Sequence, residues 1–304
     1  MLNSIIDSYK QEEEKGRTAD HIFLLNSIID SYKQEEEKGR TADHLFLLNS
    51  IIDSYKQKKK KKVYAAFIDL KKAYDSLWRT GLFYILLERG LSKKIVNVIY
   101  SIYADTKSRI KFSDGVSKSF LSKRGVNRVL SPMLFNIFIN NIVEKLECSD
   151  MDPVLVGDNS INCLLYADDL ILLSSSPCGL QTCLDTLYEF CSCWKLEVNN
   201  SKSKVLIFNS NGKSFLNHFM YNGNVIETVI DSYCYLGIML KCNGSFNLAM
   251  STLAKKARKA YIKIKKTIGL NNPCKLLEKL FDSLILPISL YCCEIWSLES
   301  ALKC

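Results

Sequence analysis

INCLLYADDLILLS, residues 161–174, sets two adjacent aspartates, Asp168 and Asp169, between two apolar runs. The runs Cys163–Leu165 and Leu170–Leu173 read as buried strands. Ionised carboxylates beside buried strands are costly unless cations compensate their charge. The stretch therefore predicts strand, tight turn through Tyr166-Ala167-Asp168-Asp169, strand: a hairpin that projects acids from an apolar sheet. The competing reading is an ordinary Asp-rich turn, since Asp favours turns for local hydrogen-bonding reasons.

A second acid stands in the same setting. In VYAAFIDLKKAY, residues 63–74, an apolar strand-like run ends at Asp69. Asp75-Ser76 then reads as the cap of a helix through Leu77, Leu82, Phe83, Leu86 and Leu87, stopped by Gly90. Two strand-borne acidic clusters can meet on one sheet. Hard divalent ions such as Mg²⁺ take carboxylate and phosphate oxygens together, and a pair of them stabilises both the attacking and the leaving oxygen of a displacement. Phosphoryl or nucleotidyl transfer is the chemistry this pattern suits.

FIDLKKAYDS (67–76) together with LLYADDLILLS (164–174) resembles the reverse transcriptases of non-LTR, LINE-type retrotransposons. The resemblance runs from Gly39 to about Trp296. It takes in GRTADHLFLL, GVNRVLSPMLFNIFIN, WKLEVNNSKSKVLIF, YCYLGIML and LPISLYCCEIW in the family's order. YADD alone is a weak signal, because Tyr103-Ala104-Asp105-Thr106 nearly matches it by chance; the ordered set is specific. The resemblance implies an α+β right-hand polymerase palm, an antiparallel sheet with helices on one face, with partial fingers and a helical thumb. It implies an RNA-directed DNA polymerase that extends a DNA primer on an RNA template from deoxynucleoside triphosphates, with two Mg²⁺ ions or Mn²⁺ in their place. Carried over by position, Asp69 and Asp168 bind the metals and Asp169 completes the acidic cluster. Lys202 is the general acid for pyrophosphate, and Tyr74 is the steric gate against a ribose 2′-hydroxyl. Arg40, Tyr166 and Ala167 contact substrate, and Tyr235-Leu236-Gly237 forms the primer grip.

Structural readings compete with two of these roles: Tyr74 as a core aromatic behind the sheet, and Lys202 as one lysine of a solvated turn. The chain also departs from the family. Between Gly125-Val126 and Leu130-Ser131-Pro132 it has only Asn127, Arg128 and Val129, where the family usually places five residues including a Gln-Gly pair. Much of the upstream fingers is missing, and neither an apurinic-type endonuclease nor an RNase H segment is present. The expectation is therefore a partial, degenerate polymerase with impaired activity.

Size and charge agree with this reading. The 304 residues, 47 % of them hydrophobic, suffice for a sizeable core. A net charge of +9 favours a polyanionic partner such as nucleic acid. No segment reads as membrane-spanning; the apolar stretch Leu284–Leu298 is short and interrupted by Pro287 and Glu294. No secretory signal opens the chain, so the expected setting is intracellular, nucleus or cytoplasm. The 12 cysteines and three histidines (His21, His44, His218) lack the spacing of zinc knuckles. Most cysteines are expected to be small core hydrophobes.

LNSIIDSYK recurs at Leu2, Leu25 and Leu48, a 23-residue spacing, with QEEEKGRTADH duplicated between. Ile22, Leu25, Ile28 and Ile29 fit a helix face, and Thr18 or Asp20 suits its cap. Only the third copy is continuous with the polymerase pattern, so residues 1–38 read as a duplicated helical arm, or an error in the assembled gene. Residues 39–240 read as partial fingers and palm, and 241–304 as a basic, thumb-like helical region. The run Lys58–Lys62 is a nuclear-localisation or phosphate-contact patch, or a solvated helix end. Ser131-Pro132 is expected to open a helix buried through Leu134, Phe135, Phe138, Ile139 and Ile142, with Ser131 as N-cap. Gln181–Trp194 is a second helix. Lys255, Lys256, Arg258, Lys259, Lys263, Lys265 and Lys266 crowd one later segment, as a thumb tracking a phosphate backbone requires. Two alternatives stand beside the polymerase: a non-catalytic nucleic-acid-binding remnant, and a helical protein that self-associates through its repeats.

Overall fold

The computed structural model describes residues 41–57, 62–104, 107–109, 111–112, 115–121, 124–126, 130–147, 151–156, 159–209, 217–268 and 274–296. The duplicated arm, Arg40, the lysines 58–61 and the shortened loop Asn127–Val129 lie outside these residues. Helix α1 (Thr41–Gln57) leads into strand β1 (Lys62–Asp69), the short α2 (Ala73–Ser76), α3 (Arg79–Glu88) and α4 (Lys93–Ala104). Four two-residue strands, β2–β5, pair as small ribbons between Lys107 and Leu121. Then come α5 (Ser131–Ile139), α6 (Asn141–Glu147), the ribbon β6–β7 (Val154–Val156, Asn159–Ile161), β8 (Cys163–Tyr166), β9 (Asp169–Ser174) and α7 (Pro177–Trp194). The chain continues through β10 (Lys204–Asn209), β11 (Phe219–Tyr221), β12 (Asn224–Val229), β13 (Ser232–Tyr235) and β14 (Ile238–Lys241). It closes with α8 (Asn247–Ile268), α9 (Cys274–Leu280), a π-helical turn (Phe281–Ile285) and α10 (Leu286–Ser289). No helix among the described residues is long and apolar enough to cross a membrane.

These residues form two compact units. One comprises Gly39–Asp69, Ser149–Thr186 and Asn199–Cys304. The other comprises Leu70–Cys148 and Leu187–Val198.

The first unit is built on a six-stranded sheet ordered β11-β12-β10-β1-β9-β8. β1 is central and antiparallel to both β10 and β9, and β8 and β9 form the expected hairpin. The expected antiparallel sheet is interrupted once: β12 runs parallel to β10. The β11–β12 hairpin docks with its second strand inward, which leaves β11 at the edge. Both faces of β1 are buried, which is why its sequence is continuously apolar instead of alternating. Val63, Ala65 and Phe67 join one cluster with Ile171, Leu173, Leu206 and Phe208 from neighbouring strands. Leu45, Leu48, Ile51, Ile52 and Tyr55 of α1 cover that cluster, each at most 4 % exposed. Tyr64, pointing the other way, meets Phe219 edge-on at 6.3 Å between ring centroids.

This burial bears on the duplicated arm. Five side chains of the third repeat copy are core, each stabilising by about 1.5–3 kcal/mol over exposure. The third copy alone therefore fills the position, and a chain beginning at Gly39 is expected to keep its cooperative thermal transition, shifted by no more than a few degrees. Ile51→Asp in that shortened chain buries an unpaired charge and should abolish the transition, at a cost above about 4 kcal/mol. A shortened chain with no transition of its own would show that the arm belongs to the core.

The second unit centres on Arg79, a residue the sequence reading passed over. Only 9 % exposed, its guanidinium donates to the carbonyls of Tyr103 (2.7 Å), Gly125 (2.8 Å) and Arg124 (3.0 Å). One helix-end carbonyl and two loop carbonyls are thereby satisfied by one charged fork. Gly125, at φ +81°, donates its N–H to the Leu77 carbonyl, and a Cβ there would come within 2.7 Å of the Asp75 carbonyl. Two expected caps are displaced. Asp75-Ser76 ends α2, and α3 starts after Trp78, because the extended backbone at Leu77 (φ −50°, ψ 127°) breaks the helix. Ser131 is the first helical residue of α5, with Leu130 as N-cap and Pro132 behind it. The expected apolar face of α5, Leu134, Phe135, Phe138, Ile139 and, beyond it, Ile142, is buried. Among the described cysteines, Cys183, Cys191, Cys242 and Cys292 are buried while Cys178, Cys193 and Cys234 are exposed, so core packing accounts for fewer of them than expected.

Candidate active site

Strand register brings the first two acids together. β1 and β9 pair so that Asp69 lies directly opposite Asp169, at the same end of the sheet. Facing residues on adjacent antiparallel strands have Cβ atoms about 4.5–5.5 Å apart. Asp168 sits in the two-residue turn between β8 and β9, following Ala167 at φ +54°. A non-glycine residue in the left-handed region costs on the order of 1 kcal/mol, a strain kept here at the turn that aims the acids. Asp69, Asp168 and Asp169 are all half-buried.

The acids act on one another. The Asp169 carboxyl is pushed up to about 6, first by burial and then by the charges of Asp168 and Asp69. Among the described residues no group of three or more His, Cys, Asp or Glu side chains is placed to hold a metal ion. The donor set does fit an open site. Hard carboxylate oxygens that repel one another at a half-buried sheet end match a hard divalent cation that draws its remaining ligands from water and substrate phosphate.

Lys202 is beside this cluster. The turn Asn199–Ser203 docks on the end of β1: Asn199 donates its N–H to the Asp69 carbonyl (2.8 Å), and the Ser203 hydroxyl accepts from the Asp69 N–H (3.1 Å). That docking carries the Lys202 ammonium to 4.0 Å from Asp69 Oδ2. The lysine is 70 % exposed, so the pair adds little stability. What it adds is a proton donor next to an acid.

Tyr235, Leu236 and Gly237 form the tip of the β13–β14 hairpin, with both turn residues at positive φ (+44° and +81°). This is the twist-matched two-residue turn in which glycine is favoured. Tyr235 packs on Phe67, 5.1 Å between centroids, and its hydroxyl lies 3.3 Å from His44 Nδ1. The phenols of Tyr233 and Tyr235 are raised by burial first and then by Asp169, which sets this hairpin in the field of the acids. His44, pushed down to about 4 by burial, is neutral at pH 7. Tyr166 accepts or donates a 2.7 Å hydrogen bond with Thr41, while its ring lies 5.6 Å from that of His44. Sequence reasoning missed Thr41 and His44, although both lie within GRTADHLFLL.

Tyr74 belongs to the other unit, where its ring packs on Phe135 at 5.0 Å. On α8, Lys255, Lys256, Arg258, Lys259, Lys263, Lys265 and Lys266 are exposed while Ala249, Leu253 and Ala257 are buried. The helix thus turns an inner apolar stripe to the unit and a basic surface outward.

Residues 24–240 match the family described as reverse transcriptase (RNA-dependent DNA polymerase). The chain is 31 % identical over 144 residues to the Retrovirus-related Pol polyprotein from the type-2 retrotransposable element R2DM of Drosophila melanogaster, covering 47 % of this chain and 13 % of that protein. It is 25 % identical over 248 residues to the Probable RNA-directed DNA polymerase from transposon BS of Drosophila melanogaster, 78 % of this chain and 26 % of that one. Over 252 residues it is 24 % identical to the RNA-directed DNA polymerase from mobile element jockey, also of Drosophila melanogaster, 79 % of this chain and 26 % of the relative. The chain thus spans about a quarter or less of the length of these relatives. In fold it is similar to telomerase from Candida tropicalis solved in complex with the TWJ fragment of telomeric RNA, with a TM-score of 0.51, 16 % identity, and coverage of 97 % of this chain and 50 % of that one.

Proposed function

The chain belongs to the reverse transcriptase (RNA-dependent DNA polymerase) family, and from that premise we propose that it carries the polymerase step of a non-LTR retrotransposon, extending a DNA primer on an RNA template. The observation that carries this reading is the register pairing of Asp69 with Asp169 beside the Asp168 turn. Asp69 and Asp168 would hold two Mg²⁺ ions, or Mn²⁺, and the metals when bound supply charge neutralisation at the attacking and leaving oxygens. Asp169 completes the cluster and shares its charge. Lys202 would hand a proton to the departing pyrophosphate, a role its 4.0 Å distance from Asp69 supports. The turn Tyr235-Leu236-Gly237 positions the primer end, while Tyr166, Ala167 and Arg40 contact the incoming deoxynucleoside triphosphate and Tyr74 excludes a ribose 2′-hydroxyl. The exposed lysines and arginine of α8 neutralise backbone phosphates. In this reading residues 39–240 are partial fingers and palm, and 241–304 the thumb.

A second reading, a nucleic-acid-binding remnant without catalysis, draws on that same basic surface together with the loop shortened at Asn127–Val129. Primer extension on an RNA template, run beside a binding titration across salt, separates the two. Affinity for an RNA–DNA hybrid should fall steeply as salt rises, by roughly a thousandfold between 50 and 200 mM if about six phosphates are contacted. Extension that stops on chelation supports the polymerase. Salt-steep binding without extension, in a chain restored at the loop and fingers, supports the remnant. Binding indifferent to salt overturns both.

A further inference from the structure

Three segments distant in sequence meet at the tip of the β13–β14 hairpin. Tyr291, which follows α10, donates its hydroxyl to the Leu236 carbonyl at 2.9 Å. Its ring lies over Gly237, where an added Cβ would meet Tyr291 Cε1 at 3.4 Å. Thr41 lies near enough to the Tyr291 phenol to act on it, and Thr41 Oγ1 is 2.7 Å from the hydroxyl of Tyr166. The Tyr291, Thr41 and Tyr166 hydroxyls therefore gather between the hairpin carbonyl and the tyrosine that leads into Asp168 and Asp169.

The anchoring of Tyr291 is not incidental. The next residue, Cys292, takes φ +52°, a conformation L residues adopt at a cost, and turns the chain so that Cys292 and Ile295 enter the buried core. The Trp296 indole donates to the Tyr291 carbonyl at 3.1 Å. Yet the Tyr291 side chain is itself 36 % exposed, so its hydroxyl does more there than its burial. Leu236 at φ +44° occupies a position where asparagine or glycine is favoured, and the Tyr291 hydrogen bond offsets that disfavour.

We propose that Tyr291 and Thr41 are positioning residues that hold the turn Leu236-Gly237 in fixed relation to the Tyr166 end of the aspartate hairpin, and so place the primer terminus. This rests on the polymerase reading of that turn. Tyr291→Phe and Thr41→Val remove hydroxyls while leaving shape almost unchanged, and two measurements on the full chain then decide. In hydrogen–deuterium exchange, the amides of Leu236, Gly237 and Ile238 should exchange about fivefold faster in Tyr291→Phe, the size expected for one lost hydrogen bond. In binding, an RNA template annealed to a shorter DNA primer should bind about fivefold more weakly, and a blunt RNA–DNA hybrid as before. The double variant should be no worse than the worse single one, since both residues act in one chain of contacts.

Unchanged exchange at the turn overturns the proposal. Equal loss on recessed and blunt hybrids overturns it as well, because it would make Tyr291 a general backbone contact or a merely structural residue. If the unsubstituted chain does not distinguish recessed from blunt ends, the primer reading has failed by itself. Exchange then still decides whether Tyr291 holds the turn.

Discussion

Asp168→Asn is expected to weaken Mn²⁺ binding by about a hundredfold or more while raising the melting temperature of the metal-free protein. The two effects share one cause. Loss of a partner that merely orients a metal ligand costs about 10–100-fold in affinity, and loss of a ligand itself should cost at least as much. Without metal, Asp168 is one of three carboxylates whose charges oppose each other, and the Asp169 carboxyl is raised first by burial and then by the other two charges. Removing one charge relieves that opposition by on the order of 1 kcal/mol, which moves the transition of a chain this size up by about 1–3 °C. Mn²⁺ titration followed by electron paramagnetic resonance, with melting curves in chelator and in excess Mn²⁺, reads both. Asp69→Asn should behave in the same way. Asp105→Asn, in the tetrad that imitates the motif by chance, should change neither quantity. Undiminished Mn²⁺ affinity in Asp168→Asn would sink the metal assignment.

The legible part of this site was the part written in local pattern. Apolar runs around Asp168-Asp169 and before Asp69 announced three strands and a tight turn, and the sheet aligns Asp69 and Asp169 as facing residues. The placement of Lys202 was carried by resemblance, and it follows physically from the Asn199–Ser203 turn docking on Asp69. Three other features were not readable. The parallel pairing of β12 with β10 depends on which strand of a hairpin docks inward, and the more polar strand, NVIETV, is the one that does. The helix starts at Asp75 and Ser131 were misplaced because a capping residue type marks a start only where its own backbone is non-helical, and both residues lie inside helices. The Thr41, His44, Tyr166 and Tyr235 contacts join residues 125 to 191 positions apart, and no periodicity encodes such a meeting. Hydroxyl and imidazole groups are compatible with a helix face, a core edge or a site, so only tertiary placement distinguishes these uses.

The shortened loop Asn127–Val129 carries the other large effect. Purified as it stands, the chain should show no primer extension with Mg²⁺, or very little. Two residues fewer than the family's usual five remove up to about 7 Å of extended reach between the strand side and the helix side of the connection. Both flanks are firmly held. Gly125 and Val126 donate their N–H groups to the Leu77 and Tyr74 carbonyls at 3.0 and 2.8 Å, and α5 is fixed by a buried apolar face. Slack cannot be borrowed from either side without breaking these contacts, and the resemblance places this loop against nucleotide and template. Misplacement by about 1 Å is enough to cost on the order of a hundredfold in rate, since near-attack geometry tolerates little error. Inserting Gln-Gly after Arg128 should therefore raise extension by about that factor once further upstream fingers residues are supplied, with the melting transition nearly unchanged. Incorporation of a labelled deoxynucleotide on an RNA template, with a chelator control, measures it. Robust extension by the unmodified chain would show that three residues bridge the gap without displacing the substrate, and that the shortened loop is not what limits this chain.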